Sequence, residues 1–202
     1  MSSELRVAVS GKSGCGNTTV SRMLARRLGL RFINFTFHTM AQERGISFEQ
    51  MCRLAEQDSE YDRYLDRRQV ELAAEGSCVV ASRLAIWLLP DVQLKVYLNA
   101  SEEVRARRIA QREGRPWRRA LAELRARDAR DRERYLKLYD IDIAEHGFAD
   151  LEVDTERGDQ GYVVRQILEE LRRRGLWGGG GEPPPTSVPR GRKETPRGET
   201  PP

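Results

Sequence analysis

The chain has 202 residues, with 35 Lys or Arg against 31 Asp or Glu and a formal net charge of +4. That length can bury a sizeable core and suits one domain with extensions, and with 33% of residues charged no apolar stretch approaches a membrane span. The mildly basic balance suits a soluble protein that handles phosphates and does not by itself argue for nucleic acid.

Glu4 and the shortness of the apolar run after it argue against a secretory leader. The cysteines Cys15, Cys52 and Cys78 are odd in number and far apart, so neither a disulfide framework nor a metal pattern is expected, and a reducing cytoplasm is. The first predicted element is a strand over Leu5–Ser10. It runs into G-K-S-G-C-G-N-T, residues 11–18. Gly11, Gly14 and Gly16 let the backbone curl so that successive N–H groups face one anion. Thr18 is expected to open a helix whose positive end adds to the cradle and whose hydroxyl can reach Mg²⁺. The residues predicted to hold the nucleotide phosphates are Gly11, Lys12, Ser13, Gly14, Cys15, Gly16, Asn17, Thr18 and Thr19. Asn17 stands where such loops carry lysine, and Lys12 is the nearest cation to supply that charge. Cys15 has two readings, a thiolate favoured by the anion loop or a small residue filling a turn.

Further strands are predicted over Arg31–Phe35, Cys78–Ser82, Leu94–Leu98 and Leu151–Asp154. Helices are predicted to begin near Thr18, Ser47, Ser59, Ser101, Trp117 and Gly161, with a capping box at Ser47 and Gln50. Apolar strands alternating with helices imply a parallel sheet covered on both faces, with ligands at the carboxyl ends of its strands. Arg83 follows the third strand at such an end, where a ligand phosphate would sit. From Arg105 to Arg134 there are twelve arginines, five acidic residues and no lysine. The guanidinium fork grips phosphate oxygens through two bonds, so two to four of these are expected to act in a lid and the rest to lie on solvated helix surface. The belt lacks the interleaved aromatics of a single-strand binder. After Trp177 come a run of four glycines and then seven of the nine prolines, a composition that cannot support a packed core.

The glycine loop, the acidic segment running to Asp66-Arg67-Arg68-Gln69, Arg83-Leu84-Ala85 with Trp87, Glu103-Val104-Arg105 through Arg112-Glu113-Gly114, and Arg134-Tyr135 through Asp142 occur in this order. In this the chain resembles the short, archaeal-type cytidylate kinases of the P-loop nucleoside monophosphate kinases, over most of residues 5–171. The resemblance implies an α/β fold with a five-stranded parallel sheet, flanking helices and an arginine-rich helical lid. It places a kinase domain at 1–177, with the lid at about 112–134, and a disordered tail at 178–202. It implies transfer of the ATP γ-phosphate to CMP or dCMP with Mg²⁺ held at Thr18, in a cytoplasmic monomer or weak homodimer without membrane or nucleic-acid partners. Lys12, Arg112, Arg127 and Arg134 are the expected catalytic residues, and His38, Asp66, Arg67 and Arg83 the expected acceptor contacts. Asn17, Phe35, His38, Ala81 and Ser82 depart from the family pattern on the nucleotide face. A nucleotide-binding pseudokinase without phosphoryl transfer is therefore the alternative, and a nucleic-acid-binding ATPase a third reading.

Overall fold

The computed structural model describes residues 4–178. Its centre is a five-stranded parallel sheet in the order β2-β3-β1-β4-β5, formed by β1 (Arg6–Gly11), β2 (Arg31–Ile33), β3 (Cys78–Ala81), β4 (Leu94–Asn99) and β5 (Leu151–Asp154). All four strand pairings are parallel, and β1 is central, with Val9 opposite both Ala81 and Val96. Eight helices join the strands among the described residues: α1 (Asn17–Leu28), α2 (Phe37–Glu43), α3 (Phe48–Gln57), α4 (Glu60–Ala74), α5 (Ala85–Leu88), α6 (Glu102–Glu113), α7 (Trp117–Tyr139) and α8 (Gln160–Arg173).

Strand parity divides the core between two layers. Val7, Val9, Val79, Val96 and Leu98 pack against Leu24 of α1 and Ile167 and Leu171 of α8. Ala8, Val80 and Tyr97 face the other way, against Ala73 of α4 and Ala85 and Ile86 of α5. Two smaller clusters lie outside these layers. Phe35, Met40 and Met51 knit α2 and α3 together beside α4. Ala106, Ile109 and Ala110 pack on Ala120 and Leu124, which makes α6 and α7 a helical hairpin.

The five strands and six of the helices lie where the sequence put them, within one or two residues. Three differences matter. The second strand ends at Ile33 rather than Phe35, because Phe35 turns inward to the α2–α3 cluster. The helix after the loop begins at Asn17, not Thr18. Two short helices were not anticipated: α2, of 7 residues, and α5, of 4. Neither spans enough turns for an apolar period to emerge. The α2 cap is visible only in the fold, where Thr36 accepts a hydrogen bond from the Thr39 N–H at 3.3 Å. The expectation for the tail falls on residues outside the described ones, apart from Gly178.

Candidate active site

The glycine loop leaves the end of β1, where Gly11 stands opposite Leu98, and closes on itself through the Cys15 N–H to the Lys12 carbonyl at 3.2 Å. Gly14 and Gly16 take φ of 88° and 91°, a region side chains rarely adopt. Gly14 has a second reason to be glycine, since a Cβ there would lie 2.9 Å from Arg105 Cβ. The outward carbonyls of the loop are held by α6: Arg105 Nη1 donates to Ser13 O at 3.2 Å and Arg108 Nη1 to Gly14 O at 3.4 Å. Arg108 is in turn fixed on the Thr155 hydroxyl and carbonyl. Anchored carbonyls leave the N–H groups and the α1 terminus free to face an anion.

Asn17 occupies the position of the missing lysine and is used for structure. Its Nδ2 donates to the Ser82 carbonyl at 3.4 Å, the same oxygen that accepts from the Ser10 hydroxyl at 2.9 Å. The loop is thus stitched to the end of β3. Lys12 lines the cleft in front of the loop together with Arg83, Trp87, Tyr97, Asp128 and Asp131. Its ammonium is near enough to α6 to help hold Glu102 below the usual carboxylate range, behind the larger effect of Arg125. Thr18 and Thr19 are exposed in the first turn of α1. Cys15 is buried, and burial pushes its thiol up to about 11 against the fields of Arg105 and Arg108. It is a filler of the turn, and the thiolate reading falls.

Arg83 stands at the carboxyl end of β3, as expected, and it is engaged. One arm of the guanidinium pairs with Asp131 of α7 and the other donates to the Ser13 hydroxyl of the loop. Burial lowers its pKa from the ordinary arginine value, although a guanidinium stays charged under such a shift. Asp131 is shared, because Arg134 Nη2 lies 3.4 Å from its other oxygen. Arg134 also pairs with Asp62 of α4 at 3.3 Å, so it bridges α7 to α4. Asp66, one turn along α4, is buried and accepts from the Tyr139 hydroxyl at 2.8 Å.

Of the remaining expected residues, Arg67, His38 and Arg112 lie apart from this cleft, while Arg127 is near enough to Arg83 for its charge to act on it. Arg67 follows Asp66 by one position, about 100° round the helix, and is exposed. His38 is exposed and stacked on Phe48 at 3.6 Å between ring centroids, not turned to the loop. Arg112 is exposed and paired with its neighbour Glu113 at 2.7 Å. Arg127 is exposed and has no ion-pair partner among the described residues. Arg105, Arg108, Asp128 and Asp131 shape the site and were not singled out from sequence. A buried arginine looks like any other member of a basic helix until the fold is known. The spacing of Arg105 and Arg108, three apart on one helix face, was the available signal.

The matched family model is the cytidylate kinase-like family, over residues 6–157. The chain belongs to that family. Among its relatives, cytidylate kinase 2 of Borreliella afzelii (strain PKo) is 44% identical over 176 residues, covering 85% of this chain and 99% of the relative. The cytidylate kinase of Aeropyrum pernix is 43% identical over 171 residues, covering 83% and 99%. The sheet and its helices also match a solved shikimate kinase from Acinetobacter baumannii, with a TM-score of 0.57 at 19% identity over 87% of this chain and 97% of that one, a likeness of fold. The family membership and that fold bear out the P-loop kinase architecture expected from the sequence.

Two outcomes test this geometry. Gly14→Ala combines a left-handed backbone with a clash against Arg105, so it should cost at least about 1–2 kcal/mol of stability in urea unfolding. It should also weaken ATP binding measured by titration calorimetry.

Burial, eased by the Tyr139 hydrogen bond and reinforced by Asp62 against Arg134, raises Asp66 to about 6. The folded state therefore holds this proton more tightly than the unfolded chain, and the contribution is present below pH 4 and lost as pH rises through 6. Asp66→Asn should match the parent near pH 4 and exceed it above pH 6, by up to roughly 3 kcal/mol. Urea midpoints at pH 4, 5 and 7 check the sign.

Proposed function

We propose that this protein is an ATP-dependent nucleoside monophosphate kinase that moves the γ-phosphate of ATP to CMP or dCMP. The observation that carries the reading is one cleft with an anion cradle on one wall and Arg83 at a strand's carboxyl end on the other. Lys12 lines the same cleft. Phosphoryl transfer asks a protein for position and charge stabilisation rather than covalent chemistry, and these parts supply both.

In this reading the N–H groups of residues 11–18 hold the donor β-phosphate. Arg83 grips the acceptor phosphate through its planar fork, exchanging Asp131 for phosphate oxygens. Arg112, Arg127 and Arg134 ride on the α6–α7 hairpin, and closure brings positive charge over the transferring group while excluding water. The choice of Arg134 draws support from its bridge between Asp131 and Asp62, and that of Arg127 from its unpaired guanidinium. Arg112 has only its place on the hairpin in its favour. Asp66 serves the acceptor side through α4, while His38 and Arg67 would need a shift of α2–α4 to reach it. The Thr18 hydroxyl, exposed beside the loop, is a suitable oxygen donor for Mg²⁺, which neutralises β- and γ-phosphate charge when bound with ATP. Magnesium usually completes its shell with water and phosphate, so one hydroxyl suffices from the protein. The protein is expected to act in the cytoplasm as a monomer or weak homodimer.

One observation favours the alternative of a nucleotide-binding module without transfer: the residue at the lysine position is turned to Ser82. The Lys12 side chain answers it. Lys12→Ala should reduce kcat at least tenfold, with the melting temperature within a few degrees of the parent. Unchanged turnover in a coupled ADP-release assay would leave the cation role empty and favour the module.

Arg83→Ala removes a charge-assisted contact worth about 1.5–3 kcal/mol, which is roughly ten- to a hundredfold in acceptor affinity. KM for CMP should rise by that factor with KM for ATP nearly unchanged, and Arg83→Lys should recover only part of the loss. Equal losses for ATP and CMP would make Arg83 structural.

A further inference from the structure

A second, narrow and partly open pocket lies between α4 and α5, beside the Ser82–Leu84 turn. Arg83 faces the first cavity, and its neighbours Ser82 and Leu84 line the second. A ligand whose phosphate sits on Arg83 therefore has this space within reach for its other end. The walls are unequal. Val80, Leu84 and Leu88 make an apolar side, while Asp66 and Gln69, neighbours at one-turn spacing on α4, make the polar side.

Gln69 is 4% exposed, and its side-chain oxygen has no hydrogen-bond partner. Its nitrogen donates to Asp66 Oδ1 at a long 3.4 Å. Turning the amide over does not help, because two acceptor oxygens would then face each other. Asp66 cannot turn away either, since the Tyr139 hydroxyl holds its other oxygen. The wall thus presents two acceptors, Gln69 Oε1 and the spare lone pair of Asp66 Oδ1. The Ser82 hydroxyl lines the same pocket as a rotatable donor, and its oxygen accepts from the Leu84 N–H at 3.2 Å. An orphaned buried acceptor carries its whole desolvation cost unless a ligand brings a donor.

We propose that Gln69, with Asp66 beside it, reads the exocyclic amino group of the acceptor's pyrimidine base and so sets a preference for aminopyrimidine over oxopyrimidine nucleotides. The inference rests on the kinase reading above. A cytosine amino group carries two protons, one for each acceptor. A uracil ring offers a carbonyl oxygen at the same place and would add a third acceptor to the two already there. Sites built to receive a donor reject the analogue that lacks it far more strongly than apolar pockets reject a change of size.

The test compares CMP, UMP and the monophosphate of pyrimidin-2-one riboside, which lacks the amino group without gaining a carbonyl. For the parent protein kcat/KM for CMP should exceed both others by about a hundredfold. Gln69→Leu should lower the CMP value at least tenfold, leave UMP unchanged or better, and leave KM for ATP unchanged. Gln69→Glu keeps an acceptor oxygen and should retain a preference for CMP. If the parent phosphorylates the pyrimidin-2-one nucleotide as well as CMP, the proposal is overturned. That arm decides the matter even if Gln69→Leu does not fold. A folded Gln69→Leu with the parental CMP-to-UMP ratio overturns it too, while leaving the kinase reading intact. No CMP-dependent turnover in the parent would overturn both.

Discussion

Arg105 is a charged side chain with 2% exposure, and three groups make its burial tolerable. Its guanidinium and Nε meet the Ser13 carbonyl of the loop, the Ala100 carbonyl at the end of β4 and, at 2.8 Å, the Asp128 carboxylate of α7. Loop, sheet edge and hairpin converge on this one fork. A buried ion pair adds little net stability over an apolar replacement, but removing one partner strands the other and costs several kcal/mol. The arrangement therefore contributes order: α6 holds the outward carbonyls of the loop, and Asp128 adds to the apolar packing that keeps α6 against α7. Gly14 is glycine because the Arg105 backbone comes so close.

Around that anchor the cleft's arginines are paired before any ligand arrives. Asp131 and Asp62 answer Arg83 and Arg134, while Lys12 lines the cleft without an ion-pair partner among the described residues. An unbalanced cluster of guanidinium groups would push the hairpin away from the loop, so the aspartates are needed to hold the resting structure together. In the proposed reading a phosphate competes with Asp131 for Arg83, bringing more charge and more oxygens than one carboxylate, and a released Asp131 would leave Arg134 free to rearrange. Phosphate binding would then be coupled to movement of the hairpin, which suits a reaction that must be kept from water.

The sheet, its order of elements and the glycine loop were legible because they rest on local rules: apolar runs of strand length, caps at Ser47 and Ser101, and glycines where φ turns positive. The place of Arg83 was legible for a topological reason, since it follows the third strand at its carboxyl end. The arginine belt was legible only as a composition. Which guanidinium is buried, which is paired with a neighbouring glutamate and which faces the cleft depends on how α6 and α7 pack against the loop and one another, and no periodicity encodes that packing. Arg112 and Arg105 are seven residues apart on one helix, yet one is paired at the surface and the other is the buried anchor. Gln69 was invisible for a related reason. An amide in a polar helix becomes informative only when burial leaves its oxygen without a partner.

The substitution at the loop's lysine position follows from the same economy of charge. A lysine at position 17 would emerge from the first turn of α1 toward the end of β3, where Arg83 already stands with its donor arm on Ser13. Two cations would then converge on one narrow space with only Asp128 and Asp131 to answer them. Asn17 instead gives its amide to the Ser82 carbonyl, which shortens the distance between loop and strand and fixes the turn that presents Arg83. In the proposed reading the positive charge comes instead from Lys12, on the other limb of the loop. Lys12 lines the cleft just after the end of β1, and its long, flexible stem would let the ammonium reach a bound phosphate. The turn after β3 would then present Arg83, held by Asp131 and Ser13, as the acceptor contact.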